Sequence, residues 1–291
     1  MKLLILSRNR QLYSTQSLIR AAEIRGHSVA VFDHLMCNIL IEKNNPRLMI
    51  GMDIMEKFDA VIPRIGASAT QYGASIVRQF EFMGTFVSVT SDSLLKARDK
   101  LHCLQILSAN GIDVPKTGIT AGDQNIASVQ DYITKDRSVI KLIASTQGLG
   151  VILSQSKNQG VSIVEGFHRV GQDVLIQEFI HDAKGSDIRA FVVDGEIVGA
   201  MKRQAVEGEF RSNIHRGASS EIIELTKEEK NIAIQSTRIL GLHIAGVDIL
   251  RSERGPLVLE VNASPGLEGI EGTTRVDIAG KIIEFIEKKL K

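Results

Sequence analysis

Cysteine is scarce in this chain. Cys37 and Cys103 are the only two in 291 residues, and they lie far apart. They form no CxxC pair and supply no disulfide framework, so a reducing compartment fits best. Neither sign of charge dominates: 35 Lys+Arg against 34 Asp+Glu leave a formal net charge of +1. That argues against a generic nucleic-acid-binding surface and leaves room only for local basic patches. Long apolar runs are missing from the N-terminus, where Met1-Lys2-Leu3-Leu4-Ile5-Leu6-Ser7-Arg8 holds a single short one. A signal peptide needs about 7–15 apolar residues and a spanning helix about 20. The chain therefore reads as cytoplasmic, with no membrane part.

Several chemical signatures are absent as well. The histidines, His27, His34, His102, His168, His181, His215 and His243, form no HExxH and no close pair. Neither cysteine has a partner that suggests a nucleophile. No Gly-Lys-Ser/Thr closes a glycine loop in the P-loop spacing, GxGxxG is incomplete, and no protein-kinase signature occurs. There is no internal repeat and no low-complexity tract.

What is present is an ordinary globular composition, 43% hydrophobic and 24% charged, with length for one large domain or two to three small ones. Residues 1–90 read as a small α/β unit. Leu3–Leu6, Val29–Phe32 and Ala60–Ile62 are strand-like, Ser14–Arg25 is helix-like with Gly26 as its stop, and Asn38–Gly51 is polar and turn-rich enough to be a loop. Residues 91–115 read as a helical connector, capped by Ser91-Asp92-Ser93 and closed by Gly111 and Pro115. From 116 to 200 the pattern is strand-rich: Ser138–Leu142, Val151–Leu153, Val174–Ile176, and a hairpin of Asp187–Val193 and Glu196–Met201 around Asp194-Gly195. Asn158–Val170 reads as a helix. In residues 201–291, Thr226 and Glu229 form a capping box for a helix ending at Gly241. Ile278, Ile282 and Ile286 share one face of a C-terminal helix.

The richest stretch is Gly255–Gly266, GPLVLEVNASPG. Strand residues two apart point to the same face, so Glu260 and Asn262 present two oxygen ligands side by side. Asp248, inside another apolar run, offers a third if the two strands pair. Hard cations such as Mg²⁺ take such ligands and usually keep substrate phosphates in their shell. A strand ending in a plain polar turn accounts for the same residues.

A second feature is Ser145-Thr146-Gln147-Gly148-Leu149-Gly150, small residues between two apolar runs, whose backbone can approach phosphate oxygens. A simple hairpin turn has the same pattern. Lys141 sits just upstream in Val139-Ile140-Lys141-Leu142-Ile143. A lysine in a buried strand needs a partner, and a nucleotide phosphate is one; an exposed lysine on an edge strand is the other reading.

Taken together these residues resemble the ATP-grasp superfamily, and within it the RimK family of ribosomal protein glutamate ligases. The resemblance spans nearly the whole chain. It rests on Pro63-Arg64-Ile65-Gly66-Ala67-Ser68, Arg98-Asp99-Lys100, Lys141 with Thr146–Gly150, Gln177-Glu178-Phe179-Ile180, Gly185-Ser186-Asp187-Ile188-Arg189 and Met201-Lys202-Arg203. Gly208–Gly217 (GEFRSNIHRG) and Glu260–Gly266 (EVNASPG) complete it. Ala218 departs from the pattern, where another glycine is expected.

The resemblance implies an α/β chain, α+β in its ATP-binding part. That is an ATP-grasp fold with an N-terminal parallel-sheet domain and ATP held between two sheet-containing subdomains. The expected divisions are 1–90, 91–115, 116–200 for the small lid subdomain and 201–291 for the subdomain with the metal site. It implies that Glu178 and Phe179 read the adenine edge and that Asp187 helps hold the nucleotide. Lys100 and Lys141 would neutralise phosphates, with Gly148 and Gly150 closing over them and Arg211, Ser212 and Asn213 reaching them from the other side. Asp248, Glu260 and Asn262 would hold Mg²⁺ or Mn²⁺, two ions per site. Arg211 and Arg203 are the expected catalytic residues.

The expected reaction joins a carboxylate to an amine. ATP activates the carboxylate as an acyl phosphate, and positioning and charge stabilisation carry the catalysis. Lys202, Arg203, His215 and Arg216 form a basic cluster suited to an acidic acceptor, with a solvated charged loop as the plainer alternative; Arg64 could reach substrate, or be structural. The implied partners are glutamate and the C-terminal tail of the sixth small-subunit ribosomal protein, with free glutamate oligomers as a second product. A homo-oligomer, such as a tetramer, is also implied. Two other readings stand beside this one: an ATP-grasp amino-acid ligase with a small-molecule acceptor, and a non-catalytic ATP-binding regulator.

Overall fold

The computed structural model describes residues 1–143, 150–212 and 217–291. The chain opens with β1 (Lys2–Leu6), α1 (Tyr13–Ile24) and β2 (Ser28–Phe32), then a small antiparallel meander of β3 (Cys37–Leu40), β4 (Arg47–Ile50) and β5 (Asp53–Ile54). It returns through β6 (Ala60–Pro63), α2 (Thr70–Phe82) and β7 (Phe86–Val87). Strands β1, β2, β6 and β7 pair in parallel in the order β2-β1-β6-β7. Leu3, Leu4, Ile5 and Leu6 are all fully buried, as expected where helices cover both faces of a parallel sheet. The meander corrects the expectation of a loop over Asn38–Gly51. Its inward residues Cys37 and Leu48 are buried while Ile41 and Met52 stay exposed, so the short strands carry too few apolar residues to show a period.

The connector is two helices, α3 (Ser91–Arg98) and α4 (Lys100–Ala109), broken at Asp99. Thr90, not the Ser91–Ser93 cluster, caps α3 by accepting from the Ser93 amide. The Asp99 carboxylate caps α4 by accepting from the His102 amide at 2.9 Å, which satisfies one of the orphan donors of a helix start.

Beyond it come β8 (Thr117–Gly118), α5 (Ile126–Ile133), β9 (Ser138–Leu142), β10 (Val151–Ser154), α6 (Lys157–Arg169) and β11 (Val174–Glu178). The strands form an antiparallel sheet in the order β10-β9-β11-β8. It has its own core of Ile126, Ile133, Ile140, Val164, Val174 and Ile176. Helix α5 has no counterpart in the strand-rich reading of this region.

A second antiparallel sheet, in the order β14-β13-β12-β15-β16, is built from β12 (Ser186–Val193), β13 (Glu196–Gln204), β14 (Ser219–Ile222), β15 (Ile244–Ser252) and β16 (Gly255–Asn262). Position 200 lies inside β13, which is continuous from Glu196 to Gln204. Asp194 and Gly195 turn the β12–β13 hairpin with positive φ at both residues, the conformation a two-residue hairpin requires. Helices α7 (Lys227–Ile239), α8 (Glu268–Thr274) and α9 (Ile278–Leu290) complete the chain. The Thr226–Glu229 capping box is present, and Ile278, Ile282 and Ile286 are buried as their spacing predicts. Among the described residues no helix is long and apolar enough to cross a membrane.

Candidate active site

The site grows from the pairing of β15 with β16. Asp248 stands opposite Glu260 and Gly246 opposite Asn262, with a register shift between Asp248 and Ile249. The period of two brings Glu260 and Asn262 to one face, where the Asn262 amide donates to Glu260 Oε1 at 3.0 Å. The three oxygen-bearing side chains expected together are thus neighbours.

Asp248 is more constrained than the sequence suggested. It is buried, and Arg189 opposite it on β12 donates to both its oxygens at 2.7 and 2.6 Å. Arg203 reaches the same carboxylate at 2.9 Å and binds Asp187 through two bonds of 2.6 and 2.5 Å. Burial alone would raise the Asp248 pKa, but Arg189 and Arg203 outweigh it and hold the group below the usual carboxylate range. Burial likewise opposes the charge on Arg203, and Asp248 and Asp187 more than offset it. The result is a desolvated network of two carboxylates and two guanidiniums, each retaining its partners.

This corrects the basic patch expected at Lys202 and Arg203. Successive strand residues face opposite ways. Arg203 turns into the interior, while Lys202 points the other way and pairs with Glu221 at 3.2 Å. Arg203 still lines the pocket, as part of its floor.

Across the pocket, Lys141 lies on β9, a strand flanked on both sides by β10 and β11, which removes the edge-strand reading. Its ammonium donates to Gln177 at 2.6 Å, a neutral partner. Burial dominates and lowers its pKa to about 8. Lys100, at the start of α4, donates to the Ile143 carbonyl at 3.2 Å, and burial again lowers its pKa. Arg211 is held by Glu209 through bonds of 2.9 and 2.5 Å and lies over the Phe210 ring. The hydrogen bonds from Arg211 lower the Glu209 pKa to about 2.

The pocket between the two antiparallel sheets is lined by Lys100, Lys141, Glu178, Phe179, Asp187, Arg203, Arg211, Ser212, Asp248, Glu260 and Asn262. Glu178 has its amide on the Lys116 carbonyl and its carboxylate on Arg254. Phe179 meets His181 and Phe210 edge-on. Gly150 is not part of this lining. It has φ +65, and a Cβ there would fall 2.4 Å from the Leu142 side chain. Gly148 and Asn213 lie outside the described residues, as do Thr146, Gln147, His215 and Arg216. Arg189 and Glu209 escaped sequence reasoning as members of the site. The signal was there for Arg189: a charge within an apolar strand needs a partner, as was argued for Lys141.

Among the described residues, no group of three or more His, Cys, Asp and Glu side chains is arranged to hold a metal. The donor set nevertheless fits a hard cation. Mg²⁺ usually takes one or two carboxylates and completes its shell with water and substrate phosphate oxygens. Glu260 and Asn262 offer such oxygens on an accessible strand end, and Asp248 stands beside them with its charge maintained by arginines.

Comparisons with known proteins agree along the whole chain. Residues 97–286 match the RimK-like ATP-grasp domain and residues 1–94 the RimK PreATP-grasp domain. A probable alpha-L-glutamate ligase of Vibrio vulnificus is 50% identical over 291 residues, covering 100% of this chain and 97% of that protein. A protein of the same description from Alcanivorax borkumensis is 49% identical over 288 residues, covering 99% and 95%. Among solved structures, the ATP-grasp ligase PsnB complexed with a phosphomimetic variant of its minimal precursor, Mg and ADP superposes with a TM-score of 0.76. It shares 21% identity and covers 100% of this chain and 98% of that one. The D-cycloserine synthetase DcsG superposes with a TM-score of 0.72 at 17% identity, over 100% of both chains. With both family domains matched and full-length relatives at half identity, the chain belongs to the RimK family of ATP-grasp ligases.

Proposed function

We infer that this protein is an ATP-dependent alpha-L-glutamate ligase that extends the C-terminus of an acidic acceptor chain, the sixth small-subunit ribosomal protein being the acceptor of choice. The observation that carries the reading is a pocket with phosphate-seeking cations on one wall, Lys100 and Lys141, and the oxygen ligands Asp248, Glu260 and Asn262 on the other. Relatives at about half identity bear the name probable alpha-L-glutamate ligase. The precursor peptide bound in a PsnB structure supports a peptide as acceptor.

In this reading ATP lies between the two sheets, its adenine edge against the backbone at Glu178 and Phe179. Lys100 and Lys141 neutralise phosphate oxygens, and the Arg211 fork, preset by Glu209, faces the phosphoryl group in transfer. Asp187 anchors Arg203 beneath the nucleotide. Asp248, Glu260 and Asn262 would hold Mg²⁺ or Mn²⁺, which neutralises charge developing on the phosphates when bound.

The acceptor's terminal carboxylate oxygen attacks the γ-phosphorus and ADP leaves, giving an acyl phosphate. The glutamate amine then attacks the acyl carbon, and phosphate departs as the new amide forms. Walls that exclude water protect the acyl phosphate from hydrolysis.

Mass spectrometry of products formed from ATP, Mg²⁺ and glutamate, with and without the ribosomal acceptor, tests this. Mass steps of one glutamyl residue on the acceptor's C-terminal peptide are expected. Free glutamate oligomers beside an unmodified acceptor would keep the ligase and overturn its protein substrate. ATP binding without turnover or product would overturn the ligase.

A further inference from the structure

Among the described residues, two arginines between the N-terminal sheet and β16 form no ion pair with a carboxylate, although the Glu260 charge acts on one of them, Arg98, from farther off. Arg64 follows β6 directly. It is partly buried and donates to one neutral acceptor, the Pro265 carbonyl, at 2.7 Å. Arg98 ends α3, lines the pocket, and donates to the Ile65 carbonyl at 2.7 Å. Among the described residues neither has an ion pair within 4.0 Å, whereas Arg189, Arg203, Arg211, Arg251 and Arg254 each hold a carboxylate.

Leaving two guanidiniums near each other in a partly desolvated place is costly unless an anion joins them. The stress is visible at Arg64, whose pKa is drawn down to about 10 by burial and then by Arg98. A structural role alone explains the two bonds: Arg64 ties Pro265 to the end of β6, and Arg98 ties the end of α3 to Ile65. It does not explain why two fixed charges are used where a neutral amide could donate equally well.

The location narrows the anion. Arg98 stands one residue from Asp99 and two from Lys100, and lines the same pocket as Glu260 and Asn262. That is where, on the ligase reading, the reacting carboxylate has to meet the γ-phosphate. We propose that Arg98 binds the C-terminal carboxylate of the acceptor chain, with Arg64 as the positioning residue that holds the Pro63–Gly66 segment and the 264–266 turn around it. A guanidinium fork matches a carboxylate and fixes its plane, so that one oxygen is presented to phosphorus. The assignment rests on the ligase function proposed above.

The test uses the protein saturated with ADP and Mg²⁺, and two probes: the dipeptide Glu-Glu as its free acid and as its C-terminal amide. Calorimetry gives the ratio of the two affinities. The wild type is expected to prefer the free acid. Arg98→Gln should shrink that preference by about 10- to 100-fold while leaving the affinity for ADP unchanged. Arg98→Lys, which keeps the charge but not the fork, should lie between them and serves if the glutamine variant fails to fold. Arg64→Gln should raise the KM for Glu-Glu and leave the KM for ATP unchanged.

Wild-type extension of Glu-Glu with an acid-to-amide preference unaltered in both Arg98 variants overturns the proposal and leaves the ligase standing. Loss of the preference for ATP over ADP, with the peptide preference intact, would assign Arg98 to the γ-phosphate and overturn it too. No ATP-dependent extension of Glu-Glu or of the ribosomal acceptor by the wild type would remove the ligase function and this proposal together.

Discussion

Asp187 and Arg203 face each other across β12 and β13 and are joined by two parallel hydrogen bonds of 2.6 and 2.5 Å, with side-chain exposures of 5% and 4%. The same guanidinium extends to Asp248 on the next strand. One arginine therefore ties Asp187 on β12 to Asp248 on β15, opposite Glu260. Removing it strands two carboxylates without their shared cation. Arg203→Met is expected to lower stability by about 3–5 kcal/mol, the cost of breaking a buried ion network from one side. Urea unfolding would measure it. A loss below about 1 kcal/mol would mean that water reaches these carboxylates freely.

Lys141 predicts a pH dependence. Its pKa is lowered to about 8, so it is charged below that pH and neutral above it. ADP affinity should therefore be level below pH 8 and fall as pH rises through it, because the phosphates lose an attracting charge. Stability runs the other way. In the unfolded chain an ordinary lysine holds its proton to about 10.4. Between about 8 and 10.4 the unfolded state binds more protons, and this group's contribution to stability rises with pH. Lys141→Met should weaken ADP binding by roughly 10- to 100-fold and abolish both trends. An unchanged affinity would remove Lys141 from the phosphate site.

The same lysine shows how far sequence reasoning reached. Lys141, Asp248, Glu260 and Asn262 were legible because each interrupts or ends an apolar strand, and a period of two fixes which of them share a face. The Thr226–Glu229 box and the Asp194-Gly195 turn were legible because their chemistry is local. The basic patch at Lys202 and Arg203 was misread because its meaning depends on pairing. Only the register of β12 against β13 and β15 shows that Arg203 faces Asp187 and Asp248 while Lys202 faces solvent. The strands at 37–54 were missed because few of their residues are buried. Arg64 was legible as a residue placed to reach substrate, but only the fold shows that, among the described residues, neither it nor Arg98 forms an ion pair.

Glu209 makes a kinetic prediction. It accepts from Nε and Nη2 of Arg211, and those bonds lower its own pKa to about 2. Both groups then remain charged over any working pH. Glu209→Gln keeps the shape but weakens the grip, so Arg211 loses its preset orientation. A fall in kcat on the order of tenfold is expected with little change in the KM for ATP. Steady-state ADP release measures both. A rise in KM alone would show that Glu209 supports ground-state binding instead.

Gly246 predicts how tightly the site is built. It sits on β15 opposite Asn262, and a Cβ there would lie 2.9 Å from Cβ of Pro265. The pyrrolidine ring cannot swing aside as a long side chain would. Its carbonyl is also tied to Arg64 at 2.7 Å, and Ser264 beside it donates to the Pro63 carbonyl at 3.3 Å. One added methyl must therefore push the 264–266 turn away from β15 or push β15 from β16. Either movement loosens Asn262 or Arg64. Gly246→Ala should cost about 1–3 kcal/mol from overpacking. It should also raise the KM for the acceptor more than that for ATP, because the displaced turn is bonded to Arg64 and Pro63 at the end of β6. Equal rises in both KM values would instead place the strain on the strand pair that carries Asp248 and Glu260.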